Sequence, residues 1–525
     1  MSPATTTDDR PGSATGRSIR RHVGAVLEPR LGIDPRALAA FRIALGLVVL
    51  ADLLFVRLPG LATFYTDDGV FPRATLAELF PGFESASLHA LSGGLGLQAV
   101  LLAIGCLAAL ALAIGYRTRL ATAVTVVFLA SLHARNPLVL NGGDTILLSL
   151  LFLGLFLSLE SRWSVDALRS TDPDADSGTT GRTDRLFSVA TATILVHFVT
   201  IYAVNGAIKF QSEAWLSGTA TARIFQLEQF VVWFGPWVAE LGTEFAVLLV
   251  AANWAWTALL CGSVLLLVVT DRLRIALVLA FVGAQLGLAA TMRLGAFPFV
   301  MVAALLLFLP PRVWNRLEAT LTASGRDFAS VAGSAGRRTL EFERAVLPSS
   351  TAWSLSIRSG PGLRRAGRVV ASVVLVCFLL AVVGWQLAGA GFVDSPAATP
   401  DAVEDASWSF FAPNPPDAYW WYAWEADLEG GETVGTLTGE SGAIDRPPDA
   451  ADTSPSVLWK RYGSELRHAG ETPYEPLAAY RCEAVAAAEY DSTPEVLRLY
   501  HVEQPVTPDG PVGEPNAEQR LEYEC

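Results

Sequence analysis

The sequence predicts an all-α polytopic membrane protein of about nine transmembrane helices, followed by an extracytoplasmic domain that is β-rich or α+β. Three observations lead there. Apolar residues come in blocks of about 20 with almost no charge, the length a helix needs to cross ~30 Å of hydrocarbon. Arginine concentrates in alternate loops between those blocks. The acidic surplus is confined to the last quarter of the chain.

Of the 525 residues, 52% are hydrophobic, and the mean hydropathy is +0.39. A water-soluble chain of this length would instead alternate apolar and polar stretches over several domains. The spans fall at 37–58, 97–115, 118–134, 144–160, 187–209, 245–270, 273–292, 294–310 and 367–392. Segment 224–240 carries Glu228, Pro236 and Glu240 beside Trp233 and Trp237, and reads as interfacial or re-entrant. The chain thus divides into a disordered cytoplasmic tail (1–36), a helical membrane domain (37–392) and an acidic extracytoplasmic domain (393–525). The tail shows no cleavage site before the first span and reads as the lead into a signal anchor.

Charge sets the orientation. Residues 1–36 carry six arginines, and loop 311–366 carries nine against four acids. Loops 59–96 and 210–244 each carry one arginine and four acids. Nine spans place the basic loops in the cytoplasm and the C-terminus outside, in a multi-pass protein of the cell membrane. Residues 393–525 hold 26 acidic and 7 basic residues. That surface repels phosphates, which excludes nucleic acid as a partner, and it suits a high-salt cell. Within it, Gly430-Gly431 and the run from Glu432 read as a hairpin, Glu495–Val502 as a strand, and the Pro-rich 505–515 as loose chain. The aromatic run Trp408–Phe411 and Tyr419–Tyr422 reads either as the core of this domain or as a lid on the helix bundle, where Trp420 and Trp421 would pack.

Cys106, Cys261 and Cys377 lie in apolar blocks and read as small core residues. Cys482 and Cys525 lie in the acidic domain. They pair as a disulfide in an oxidising exterior, or stay as two thiols. No CxxC or Cys/His spacing appears, so no metal site is expected.

Ionisable groups within spans are costly and point to function. Asp52, His133, Arg135, Asn141, Asp144, Asn205, Lys209 and Arg293 all fall in the outer half of the membrane and form a candidate outward-facing pocket; paired and snorkelling charges are the plainer alternative. His197, mid-span, reads as a proton relay or a packing histidine. Asp144 can cap the span it opens, and Gly142-Gly143 permit a close approach. Lys209 is one of only two lysines, the other being Lys460, in a chain that otherwise uses arginine. An amine can give up its proton when desolvated and act as a base, which guanidinium cannot. Tyr202, Asn205 and Lys209 share one helical face. The plain alternative is a lysine snorkelling at a helix end.

Several motifs resemble the HTTM (horizontally transferred transmembrane domain) family. They are Phe64–Arg73 (FYTDDGVFPR), Arg135–Asp144 (RNPLVLNGGD), Arg162–Leu168, Lys209 with Trp215 and Gly218, Leu294–Pro298 and Trp408–Pro415 (WSFFAPNP). The resemblance spans residues 37–425 in order. HTTM proteins are similar to the vitamin K-dependent γ-glutamyl carboxylase. That resemblance implies a reduced menaquinone-type quinol as ligand, its oxidation, and Lys209 as base beside Trp215. Counted from Trp215, Lys209 stands at the first lysine of the carboxylase pair and Phe210 at the second, the one regarded as its base, so that Lys209 takes that role only with a shift of one residue; Gly143 and Gln285 stand where the carboxylase has histidines. The rival expectation is a non-enzymatic membrane protein, such as a lipid carrier, transporter or assembly factor, using the same pocket.

The arginine asymmetry carries a direct test. In intact cells an impermeant reagent is expected to label a tag placed after Cys525 and to miss one at Met1; the reverse pattern would overturn the count of nine spans.

Overall fold

The computed structural model describes residues 24–169, 185–323, 361–394, 410–435, 454–487 and 493–525. The membrane part is helical. Helix α1 (Pro35–Asp52) starts where Asp34 accepts a hydrogen bond from the Arg36 amide and Pro35 supplies a preset φ. Helix α2 (Leu95–Ile114) packs along it. Then follow α3 (Thr118–Arg135), α4 (Gly142–Gly154), α5 (Val189–Lys209), α6 (Ala246–Cys261) and α7 (Asp271–Thr291). After them come α8 (Phe297–Leu305), α9 (Pro311–Ala323) and α10 (Pro361–Gly389). Among the described residues, six helical stretches are long and apolar enough to cross a membrane: α1, α2, α5, α6, α7 and α10. A seventh results if α8 and α9 count as one span, although they meet at a bend of 100°. Segments 118–134 and 144–160, expected as spans, appear as α3, which is diluted by threonine and arginine, and as α4, an apolar helix of 13 residues. Segment 224–240 breaks into short helical pieces, too short to cross, with Trp233 and Trp237 exposed.

The C-terminal region is α+β. Strands β1 (Ala418–Leu428), β2 (Thr433–Gly435), β3 (Pro494–Thr507), β4 (Gly510–Pro511) and β5 (Asn516–Glu524) pair antiparallel. The order is β2-β1-β3-β5, with β4 folded back on the end of β3. Helices α11 (Val457–Leu466) and α12 (Tyr474–Ala486) complete the region. The stretch 505–515, expected to be loose, is ordered. Pro508-Asp509 form a two-residue turn and Gly510, at φ +134°, closes it, so β3 continues to Thr507. Cys482 on α12 is bonded to Cys525 at the chain's end, with the Cα atoms 5.6 Å apart.

Helix α11 docks this region onto the bundle. Trp459 and Tyr462 pack edge-on against Phe64, at 4.9 and 5.8 Å between ring centres. The Tyr462 hydroxyl donates to the Val70 carbonyl (2.9 Å), and the Arg461 guanidinium donates to the Leu140 carbonyl. Two of the motif segments read from the sequence, 64–73 and 135–144, therefore form the seat for α11.

One charged cluster locks α1 to α4. The turn that continues α1, Leu53–Arg57, is π-helical. Its i to i+5 spacing carries Arg57 back over Asp52. The Arg57 guanidinium bonds Asp52 (3.0 Å), the Tyr65 hydroxyl (2.9 Å) and Asp144 (2.7 Å), and all four side chains are buried. Arg57 does not snorkel to the surface, because two carboxylates hold it inside. Removing the cation would strand both carboxylates. Arg57→Leu is expected to cost about 3–5 kcal/mol, read as a fall in thermal stability of the purified protein, whereas a snorkelling arginine would leave stability nearly unchanged.

Candidate functional site

The site is built on α5. Ser188 and Thr191 form a reciprocal cap at its start. The apolar run then carries it to Lys209, with Tyr202, Asn205 and Lys209 on one face. That face lines an apolar cavity of about 340 Å³, within the ~300–1,000 Å³ usual for small-molecule sites. Trp256 of α6, Leu288 of α7 and Phe297 of α8 form other walls. Phe410 and Phe411, which follow α10 in the chain, close the cavity beside Lys209.

Lys209 is buried. Its ammonium donates to the Phe410 carbonyl (2.9 Å) and sits 3.6 Å over the ring of Trp215. The Trp215 indole donates to the Phe411 carbonyl (2.8 Å), and the Ser212 hydroxyl donates to Asn414 (2.6 Å). A carbonyl and a ring face offer partial charge only. Among the described residues no carboxylate pairs with this amine. Deeper in, the Tyr202 ring stacks on Phe281 at 4.6 Å, and its hydroxyl accepts from the Gln285 amide (2.8 Å). The other amide atom, Gln285 Oε1, is buried and meets no partner among the described residues.

Gly142 and Gly143 make the closure possible. A Cβ on Gly142 would stand 2.5 Å from the Phe410 ring, and one on Gly143 would stand 2.7 Å from Phe297. Those two rings lie 4.2 Å apart. The close approach that the glycine pair allows is thus to the aromatic wall of the cavity.

The polar residues expected in one pocket are distributed. Asn205, Lys209 and Trp215 line the cavity. Asp52 and Asp144 belong to the Arg57 cluster. His133 is buried without lining the cavity. Arg135 donates to the Phe71 carbonyl (2.9 Å) and lies 3.5 Å from Asp67. Asn141 caps α4 by accepting from the Gly143 amide, and Asp144 accepts from the Asn141 amide, each at 2.8 Å. His197 meets the Ser149 hydroxyl at 3.0 Å and packs on Phe378 of α10. Arg293 presents its carbonyl to Lys460 (2.6 Å). Of the aromatic run read as core or lid, Phe410 and Phe411 close the cavity, and Trp420 and Trp421 do not. Trp420 and Trp421 sit in β1, where Trp420 covers Gly463 and Trp421 packs with Leu227 and Val502. Trp408 and Ser409 lie outside the described residues.

Sequence reasoning missed Lys460, although its rarity was the available signal. It lies on α11, buried, with its ammonium 4.3 Å over Phe230. Phe230 packs on Phe411 at 5.0 Å. Lys209 thus contacts the aromatic lid directly, and Lys460 reaches it only by way of Phe230.

These features define a polytopic helical membrane protein with an apolar cavity and a buried amine in its wall. The HTTM domain family matches residues 31–314, more than half of the chain, and the chain belongs to that family. No curated protein and no solved structure matches it.

Burial, reinforced by Arg461 and Arg293, pushes the Lys460 ammonium down to about 7. From there up to the ordinary lysine range near ~10.4, the unfolded chain holds a proton that the folded chain has released, so stability rises with pH across that window. Lys460→Met is expected to flatten this rise, whose upper limit is roughly 4–5 kcal/mol. Unfolding of wild type and variant at pH 7 and pH 10 measures it, and parallel profiles would refute it.

Proposed function

We propose that the protein binds a quinol or similar ring-bearing lipid in the cavity and oxidises it with Lys209 as base. One observation carries the reading: a lysine amine, buried and unpaired by any carboxylate among the described residues, faces an apolar cavity of small-molecule size. A free amine there can take the proton of a quinol hydroxyl, breaking O–H and forming N–H. The two electrons, the proton held by Lys209 and the second hydroxyl proton then pass to dioxygen, the co-reactant this class of chemistry requires, giving the quinone and hydrogen peroxide and returning the amine to its free form. Asn205 supplies a polar group for orientation, and the Phe410-Phe411 lid excludes water from the proton transfer. Gly143 and Gln285, in place of the carboxylase histidines, favour a quinol oxidation that stops short of carboxylation.

The same substitutions support a second reading, a non-enzymatic lipid carrier, transporter or assembly factor. We also infer nine passes, counting α3, α4 and α8 with the six longer helices. The N-terminus is then cytoplasmic and the disulfide-bonded C-terminal region is extracytoplasmic, where oxidation favours such a bond.

Lys209→Arg separates the two functional readings, since guanidinium keeps its proton. For the enzyme, the variant is expected to retain folding and bound quinone, seen by mass spectrometry of its lipid extract, and to lose quinol-dependent oxygen uptake by two or more orders of magnitude, about 10²–10⁴-fold. Full uptake in that variant would remove Lys209 as base. Neither quinone nor uptake in the wild type would favour the carrier.

A further inference from the structure

We propose that the cavity opens sideways into the hydrocarbon between α6 and α7, and that a lipid inserts its chain through this gap with its polar head beside Lys209. The inference rests on the reading that the cavity holds a lipid, and it adds the route and the ligand's shape.

The cavity is sealed toward the C-terminal region. Lys209 and Trp215 are hydrogen-bonded to the two carbonyls of the Phe410-Phe411 lid. The α5 wall is likewise closed, since Tyr202, Asn205 and Lys209 are all buried. The α6–α7 wall differs. Ala252 of α6 and Gly287 of α7 line the cavity and are exposed, unlike the α5 residues. A Cβ added to Gly287 would meet nothing within 4 Å, and the same holds at Gly283 one turn earlier. The small side chains thus leave real space and do not serve close helix packing. Around them Leu248, Trp254, Leu279 and Leu286 are exposed apolar groups on the same two helices, the surface that faces lipid chains.

The polarity of the space selects the occupant. Lys209, Asn205 and the Tyr202 hydroxyl supply the polar groups on the α5 side, and the way out runs between apolar helices. A ligand with one hydroxylated or anionic ring and a single isoprenoid or acyl chain satisfies both ends. A compact water-soluble ring would have no path from water, because the lid hydrogen bonds close that side.

The test uses the full-length protein in lipid nanodiscs, with Cys106, Cys261 and Cys377 changed to Ala and Thr221→Cys, in the cavity wall but not bonded to the lid, as reporter; Ile224→Cys, in the same wall, replaces it if that variant misfolds. The probes are a maleimide carrying a long alkyl chain and a charged, water-soluble maleimide. The alkyl reagent is expected to react and the charged one to fail. Adding Gly287→Trp, which fills space that no protein atom occupies, is expected to slow the alkyl reaction about tenfold or more, equivalent to about 1.4 kcal/mol of barrier, while Gly287→Ala leaves it near the starting rate. An unchanged alkyl rate with Gly287→Trp, or faster labelling by the charged reagent, overturns the lateral route. Neither readout involves quinone or oxygen uptake, so loss of the portal and loss of the quinol reading are separate results.

Discussion

The Arg57 cluster is the interaction on which the rest of the site depends. Two carboxylates and a phenol converge on one buried guanidinium, from α1, from α4 and from the segment between α1 and α2. In hydrocarbon an unpaired ion is costly, so this geometry admits little slack. Fixing Asp144 fixes the first turn of α4, because the same carboxylate accepts the Asn141 amide. That turn carries Gly142 and Gly143, against which Phe410 and Phe297 rest. The lid over Lys209 is therefore positioned by an ion cluster that never touches the cavity.

The same solvent argument explains how three other buried arginines are used. Arg42 donates to the Leu159 and Trp163 carbonyls, Arg135 to that of Phe71, and Arg274 to those of Val269 and Arg30. Each stitches a loop to a helix by satisfying backbone oxygens that lack helical partners. Arginine suits this work because its fork of donors stays charged. Of the two lysines, Lys209 meets the aromatic lid itself and Lys460 meets Phe230, the ring that packs on Phe411. Each is held by one backbone carbonyl and one ring face.

Much of this was legible in the chain. Long apolar blocks announce spans, because length and hydrophobicity suffice for crossing. Period 3.6 placed Tyr202, Asn205 and Lys209 on one face, and all three line the cavity. The scarcity of lysine pointed at residue 209, and its motif with Trp215 pointed at the family. Less legible were pairings across long separations. Asp52 and Asp144 looked like members of one pocket with Lys209, since depth in the membrane can be read from sequence but angular position in the bundle cannot. Trp420 and Trp421 looked as suitable for a lid as Phe410 and Phe411, because aromatic content does not tell a strand in a sheet from a segment lying on a helix end.

By itself, then, the sequence determined the class of solvent, the long helices, the acidic C-terminal region, the family, and a lysine worth watching. These are local or compositional properties, and each is set by the chemistry of a short window. Tertiary structure alone decided which charges meet, which rings close the cavity, that Lys460 of α11 meets the ring of Phe230 behind the lid, and that Gly283 and Gly287 of α7 face open space. The physical reason is that each of these needs two distant segments within a few ångströms, and that proximity comes from packing the whole bundle with the sheet domain rather than from any one stretch of chain.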